Sequence, residues 1–331
     1  MLETKLRKAP RRRRVIFLLP PELHLLDLAG PAQAFDSARR EGAAYTVHFC
    51  ASGPEIRTAQ GLSLAHLEPP PAVTPDDLII VPGMSCHGGV PTGPFFSLEV
   101  KNWLLQAHRS GVQIASVCSG AVALGEAGLL DGRRCTTHWS ILETLKTRHP
   151  TAEFVDNVLF TQDQGIITSA GVTSGIDMAL WLIEGDYGPM FAARVARNLV
   201  VYLRRDGSQG QRSVYLEFRT HNHPGVHRVQ DWVVQHATEK LTLEGLAEIA
   251  RMSPRHLARA FKEATGFTPL QYQQQIRLEL AASLMKDPRL TVEAIAAKCG
   301  FEDPRHFRRL WKEAFGTPPS AVRPQERELS A

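Results

Sequence analysis

Cys118 stands at the end of the apolar run "VQIASV" and is followed by Ser119, Gly120 and the helix-like "AVALGEAGLL". A cysteine at a sharp strand-to-helix turn has the layout of a nucleophile elbow, with Gly120 relieving crowding at the turn. The helix N-terminus is expected to favour the thiolate. The backbone N–H of Ser119 and one from the loop after "IIVPG" are candidates for an oxyanion hole, with Gly83 or Met84 supplying the second donor. A Cys–His dyad needs a histidine within reach. None adjoins Cys118, so His138 or another distant histidine has to supply it. A buried structural cysteine is the plain alternative. Cys86 follows closely after Gly83. If that loop folds over the elbow, Cys86 and Cys118 approach as a redox pair, against the plainer reading of two unrelated thiols.

A second set of residues points to nucleic acid. Aligning "SPRHLARAFKEATGFTP" (253–269) with "DPRHFRRLWKEAFGTPP" (303–319) at an offset of 50 gives identities that include Pro254/Pro304, Arg255/Arg305, His256/His306, Arg259/Arg309 and Lys262/Lys312. The preceding "TLEGLAEIA" (242–250) and "TVEAIAAKC" (291–299) match at an offset of 49. Two copies are too few for a solenoid, so this is a duplicated functional unit. In each copy a short amphipathic helix and a turn lead to a second helix, opened by an N-cap (Ser253 or Asp303) and a proline. That is a helix-turn-helix, whose second helix enters the major groove. Leu257, Ala260 and Phe261 form the apolar stripe of the first copy, and Phe307, Leu310 and Trp311 that of the second. Arg255, Arg259 and Lys262 lie off the first stripe, and Arg305, Arg308, Arg309 and Lys312 off the second. Arginine suits guanine O6/N7 or phosphate. One basic helix face is easily a solvated surface; arginines at matching positions in two copies favour double-stranded DNA.

The elements that must hold these groups follow from hydrophobic patterning. "VIFLL" (15–19), "YTVHFC" (45–50), "DLIIVPG" (77–83), "VQIASV" (112–117) and "GIITSA" (165–170) read as strands. Helix-like segments such as 98–111 and 121–130 lie between them. Near-continuous apolar strands separated by helices predict an α/β domain with a parallel sheet covered on both faces. Ligands bind such sheets at the carboxyl ends of the strands, where "VPG" and "SVCSG" lie. Beyond 226 every segment reads helical. The predicted layout is a disordered basic tail (1–13), an α/β domain (14–205), a linker (206–225) and an all-α domain with two helix-turn-helix units (226–325). His221, His223 and His227 near the linker read as solvated, because no carboxylate or cysteine stands at metal-binding spacing.

Composition sets the outer limits. The 331 residues, 43% hydrophobic and 22% charged, suffice for two ordinary globular domains. Residues 1–222 carry 22 Lys and Arg against 21 Asp and Glu, and residues 223–331 carry 16 against 13, so bulk charge does not announce a nucleic-acid binder. The start "RRRRVIFLLPPELHLLDLAGPAQA" imitates a secretion signal, but Pro20, Pro21, Glu22, His24 and Asp27 interrupt it. No apolar run is long enough to span a membrane. Five cysteines, odd in number and without a C-x-x-C pair, argue against a disulfide framework or zinc finger and for a reducing cytoplasm. No cofactor or metal is expected.

Two resemblances add to this reading. Residues 226 to about 323 resemble the AraC/XylS-type DNA-binding domain through "QYQQQIRLELAASLM" and "TVEAIAAKCGFEDPRHFRRLWKEAFGTPPSAVR". The resemblance implies two helix-turn-helix units joined by a long helix, in successive major grooves. It makes Arg255, Arg259, Arg305, Arg308 and Arg309 the base readers. Ala258 stands where many relatives carry a polar reader, and His256 and His306 are implied to be structural or phosphate-facing. Residues 14 to about 190 resemble the PfpI-type, glutamine-amidotransferase-like fold through "LLDLAGPAQAF", "IIVPG", "SVCSGAVALGEAGLLDGRRCTTHW" and "ITSAGVTSGIDMAL". This implies a flavodoxin-like sheet in which Asp27 hydrogen-bonds the cysteine, as in the isocyanide hydratase branch, and in which His138 lines the pocket. The chain departs from the protease members, which carry His where Ser119 stands. Met84 replaces a second glycine and is expected to narrow the pocket or spoil the oxyanion hole.

The order of domains resembles that of GlxA-like regulators. It implies a sequence-specific transcription regulator, commonly an activator, that dimerises through its amino-terminal domain and senses a small, nitrogen-containing effector. A cysteine-dependent hydratase or amidase and a redox or electrophile sensor using Cys118 are the alternatives. The regulator reading covers nearly the whole chain and is preferred.

Overall fold

The computed structural model describes residues 12–86, 89–90, 93–201, 205, 207, 211, 218–219, 221–285 and 289–322. Most of the expected tail and much of the expected linker lie outside the described residues. The chain divides into two compact units, Met1–Gln211 and Arg212–Ala331.

The first unit is built on strands numbered here in chain order: β1 (Arg13–Leu18), β2 (Tyr45–Cys50), β3 (Glu55–Arg57), β4 (Ser63–Ala65), β5 (Leu78–Val81), β6 (Gln113–Val117), β7 (Arg134–Cys135), β8 (Glu153–Phe154), β9 (Phe160–Asp163) and β10 (Ile166–Ser169). The main sheet has the order β2-β1-β5-β6-β10-β9. Its first five members are parallel and, counted alone, run 2-1-3-4-5, the flavodoxin-like order. The edge strand β9 departs from the expected all-parallel sheet. It pairs antiparallel with β10 through the two-residue turn Gln164–Gly165, both at positive φ, as a primed hairpin turn requires.

Burial alternates along β1. Val15 and Phe17 enter one core with helices α1 (Leu25–Arg40), α5 (Thr173–Tyr187) and α6 (Pro189–Asn198). Ile16 and Leu18 enter another with α2 (Leu98–Arg109), α3 (Gly120–Glu126) and α4 (Leu142–Arg148). Helix α1 is not legible as a helix in the sequence, because Gly30 and Pro31 interrupt its pattern.

The second unit is helical: α7 (Pro224–Gln235), α8 (Leu243–Ala250), α9 (Pro254–Thr265), α10 (Pro269–Leu284), α11 (Val292–Lys298), α12 (Pro304–Phe315) and α13 (Pro319–Val322). The caps match the repeat. Ser253 Oγ accepts from the His256 N–H at 3.3 Å, Asp303 accepts from the Arg305 N–H at 2.8 Å, and left-handed Gly266 and Gly316 close both helices. Leu257, Phe261, Tyr272 and Ile276 lie in one small core, and Leu278, Ile295, Phe307 and Trp311 in a second. Helix α10 therefore supplies side chains to both and joins the two helix-turn-helix units. Arg277 on α10 locks them further, donating to the carbonyls of Ala237, Glu239 and Gly300 at 2.6–2.9 Å.

The three histidines read as solvated are instead organised around the start of α7. His223 Nδ1 accepts from the Val226 N–H as the N-cap, and the rings of His221 and His227 stack at 4.4 Å.

Candidate functional site

Three strand ends converge on Cys118: β6 runs into it, β5 leads to Gly83, and β10 leads to Gly171 and Val172. Cys118 has φ 57°, the strained left-handed region. Such backbone costs about 1–3 kcal/mol and persists only where its surroundings hold it. Here the Cys118 N–H donates to the Ser169 carbonyl at 3.0 Å, and Thr137 Oγ1 donates to the Cys118 carbonyl at 2.9 Å. Gly120 is required by close approach, since a Cβ there would lie 2.2 Å from the Val81 carbonyl oxygen. Gly83 is enclosed by the site itself: a Cβ would lie 2.6 Å from Asp27 Oδ2, 2.8 Å from Cys118 Cβ and 2.9 Å from Ser119 Oγ.

Asp27, on α1, is 1% exposed. Its Oδ1 accepts from the Val172 N–H at 2.7 Å, while its buried Oδ2 faces Cys118 without a hydrogen bond of good geometry. Burial raises its pKa, against the opposing effects of the Val172 amide, His24 and Cys118. The Cys118 thiol is pushed far above its usual range, first by burial and then by the Asp27 charge, with the Ser119 N–H pulling the other way. The expected thiolate is thus corrected. The amides of the helix N-terminus are outweighed by a desolvated site beside a carboxylate, which favours the Cys118 thiol over the thiolate.

One expected oxyanion donor is also engaged. Ser119 Oγ accepts the Met84 N–H at 2.8 Å and donates to the Met84 carbonyl at 2.7 Å. This hydroxyl clip holds the β5 loop and occupies the Met84 amide, one of the two candidates for the second oxyanion donor. It forms because Ser119 places a short hydroxyl directly after the elbow cysteine.

His138 meets Ser140 Oγ through Nδ1 at 2.7 Å and accepts there from the Ser140 N–H at 3.3 Å, which places its ring proton on Nε2. Burial, with His24 adding to it, lowers its pKa, so the ring is neutral at pH 7. Among the described residues no hydrogen bond joins His138 to Cys118, so His138 forms no dyad with the cysteine here. Cys86 and Cys118 are both free thiols.

Above the elbow opens a cavity of about 580 Å³, in the range that takes small ligands. Asp27, Met84, Cys118, Ser119 and His138 line it, and Cys86 joins them. Gly83 lies beneath. Leu26, Val90, Ile141 and Val172 provide apolar wall. Sequence reasoning missed His24 and Gln60, which also line it. Gln60 Oε1 accepts the Leu25 N–H at 3.0 Å, and its Nε2 meets His24 Nδ1 at 3.2 Å, so a residue in the turn of the small β3–β4 hairpin caps α1. No local pattern marks Gln60. Val172 was findable, because it follows a strand end. Among the described residues no group of three metal-binding side chains is placed to hold an ion, and no helix is long and apolar enough to cross a membrane.

The candidate DNA-reading residues fall on two helices. Arg255, Arg259 and Lys262 are exposed on α9, and Arg305, Arg308, Arg309 and Lys312 on α12. Arg259 and Arg309, equivalent by the repeat, have loose partners one turn on: Glu263 at 3.9 Å and Glu313 at 3.5 Å. Arg308 differs, since its guanidinium pairs across the motif with Glu293 on α11. His306 sets its ring edge against Phe301, a structural contact.

Comparison with known proteins assigns one family to each part of the chain. A model of the DJ-1/PfpI family matches residues 13–185, and a model described as a helix-turn-helix domain matches residues 246–325. The HTH-type transcriptional regulator GlxA of Rhizobium meliloti (strain 1021) is 32% identical over 247 residues, 73% of this chain and 76% of that one. The HTH-type transcriptional regulator GbdR of Pseudomonas aeruginosa (strain UCBPP-PA14) is 29% identical over 309 residues, 92% of this chain and 82% of that one. An isonitrile hydratase of Pseudomonas putida is 31% identical over 170 residues, 51% of this chain and 69% of that one.

Proposed function

The chain belongs to the DJ-1/PfpI family and carries a helix-turn-helix domain behind that part, and on this premise we propose a DNA-binding transcription regulator whose amino-terminal domain senses a small molecule. The relatives that share both halves are named as HTH-type transcriptional regulators, which supports the DNA-binding part. The sensing part rests on one observation. A cavity opens directly over Cys118, yet the thiol is held protonated and the Met84 amide is closed by Ser119. A pocket kept while its nucleophile and one candidate oxyanion donor, the Met84 amide, are disarmed suits reversible occupancy rather than turnover. The effector we propose, by the family resemblance, is a nitrogen-containing metabolite seated in the cavity that Asp27, Cys118 and His138 line.

An effector shifts DNA affinity only through different affinities for two states of the protein. Gln211 offers a route. Its Nε2 donates to the Thr137 carbonyl at 2.9 Å, and its Oε1 accepts from the Trp139 N–H at 3.0 Å. The last residue of the first unit thereby grips both neighbours of cavity-lining His138.

The domain limits we propose are 14–205 for the sensor, 206–225 for the linker and 226–325 for the DNA-binding domain. Arg255, Arg259, Arg305, Arg308, Arg309 and the two lysines are the proposed DNA contacts. Five free cysteines suit a reducing cytoplasm. Dimerisation through the amino-terminal domain and activation of transcription follow the family resemblance, and light scattering of the purified chain tests the dimer.

A thermal-shift screen of the full chain against a metabolite library tests the sensor. A hit that changes DNA affinity and is recovered intact supports it. The second reading, a cysteine-dependent enzyme, draws on the strained elbow and the likeness to an isonitrile hydratase. It predicts a hit that is consumed, with consumption lost in Cys118→Ser.

A further inference from the structure

The two helix-turn-helix units are near copies, but the structure shows where they differ. In the second, Glu293 in the first turn of α11 forms an ion pair with Arg308 in the reading helix α12. In the first, the equivalent acid is retained as Glu244 on α8, yet the residue facing it in the repeat is Ala258 on α9. Among the described residues Glu244 is exposed and makes no ion pair. One unit therefore has a cross-helix clamp on an arginine, and the other has half of the same clamp.

We propose that Glu293 is a positioning residue that makes Arg308 a reader of base edges rather than a phosphate contact, so that the DNA half-site under the second unit is specified more strictly than that under the first. This rests on the reading of α12 as a groove-entering helix. A guanidinium carries five N–H donors, and the pairing recorded with Glu293 uses Nη2. The remaining donors stay available in a fixed plane, the form in which Arg pairs bidentately with guanine O6 and N7. Holding a long, rotamer-rich side chain before DNA arrives removes part of the ordering cost of binding. The carboxylate also acts against the alternative partner: placed beside Arg308, it repels a phosphate and cancels one unit of counterion release. About half of each side chain is exposed, 47% for Arg308 and 54% for Glu293, so the pair holds orientation without withdrawing the arginine from DNA.

The test uses the full chain and a random-sequence duplex pool, with bound DNA sequenced for the wild type, Glu293→Gln, Arg308→Ala and Ala258→Arg. Under the proposal Arg308→Ala erases the preference at one position of the second half-site. Glu293→Gln weakens that preference about tenfold, leaves the first half-site unchanged, and steepens the slope of log affinity against log salt by about one. Ala258→Arg gains a preferred base at the matching position of the first half-site, where Glu244 waits. A Glu293→Gln protein that keeps every preference while Arg308→Ala loses one overturns the proposal, as does a first half-site indifferent to Ala258→Arg. An Arg308→Ala protein with an unchanged consensus overturns instead the reading of α12 on which it rests.

Discussion

The backbone amide of Val172 donates to the carboxylate of Asp27 at 2.7 Å, joining residues 145 positions apart. Val172 has φ 51°, where a β-branched residue is a genuine outlier. The bond to Asp27 is what the structure sets against that strain, and it fixes the end of β10 to the elbow.

Asp27→Asn keeps an acceptor for Val172 and removes a buried charge. Because the folded-state pKa of Asp27 is raised, the unfolded chain ionises first as pH rises above about 4, and stability is lost from there upward. The variant is therefore expected to melt at a higher temperature than the wild type at pH 7, with the gap closing toward pH 4. A variant that melts lower at pH 7 would show the carboxylate to be a net stabiliser.

Ser119→Ala breaks both arms of the clip to Met84 and leaves a half-buried N–H and carbonyl to find water. The expected cost is about 1–3 kcal/mol, read as a lower melting temperature of the amino-terminal unit. An unchanged melt means that the loop repacks without the hydroxyl.

Cys118 should be slow to alkylate. Burial and Asp27 keep it protonated, while Cys86 is less buried at the same cavity. Iodoacetamide at pH 7.5, followed by peptide mass spectrometry, is expected to label Cys86 before Cys118. Preferential labelling of Cys118 would restore the thiolate and with it the enzyme reading. Cys118→Ser is expected to leave intrinsic DNA affinity intact.

Gln211→Ala releases Thr137 and Trp139 from the end of the first unit. The effector found by the screen should still bind, with an affinity within about twofold, while its effect on DNA affinity collapses toward none. Full coupling in the variant sends the signal by another path.

Arg259→Ala is expected to cost about 1–3 kcal/mol of specific binding and to relax the preference at one base pair of the first half-site. A loss equal on all sequences makes Arg259 a phosphate contact.

The legible features were local ones. Strand runs, the elbow at Cys118 with its Gly120, the caps at Ser253 and Asp303 and the repeat itself are written in neighbouring residues, and the structure forms each of them. Helix α1 was illegible because Gly30 and Pro31 mask its period. Strand β9 was illegible because a Gln-Gly turn reverses the chain inside a pattern that otherwise reads parallel. Gln60 and Glu293 carry no signal at all, since their partners lie 35 and 15 positions away.

Sequence by itself determined the two folds, the cysteine at the strand end and the arginines at matching positions in two helices, because period, turn chemistry and internal repetition are properties of short stretches. Tertiary structure alone decided what those residues are able to do. Whether Cys118 is a thiolate depends on burial and on a carboxylate from another helix, and whether Met84 can serve an oxyanion depends on a hydroxyl that crosses from the elbow. Arg308 likewise is held across the motif by Glu293, while its neighbour Arg309 meets only Glu313 on its own helix. Desolvation, charge and hydrogen bonding act through space, and the same cysteine or arginine changes role with the neighbours that folding brings to it.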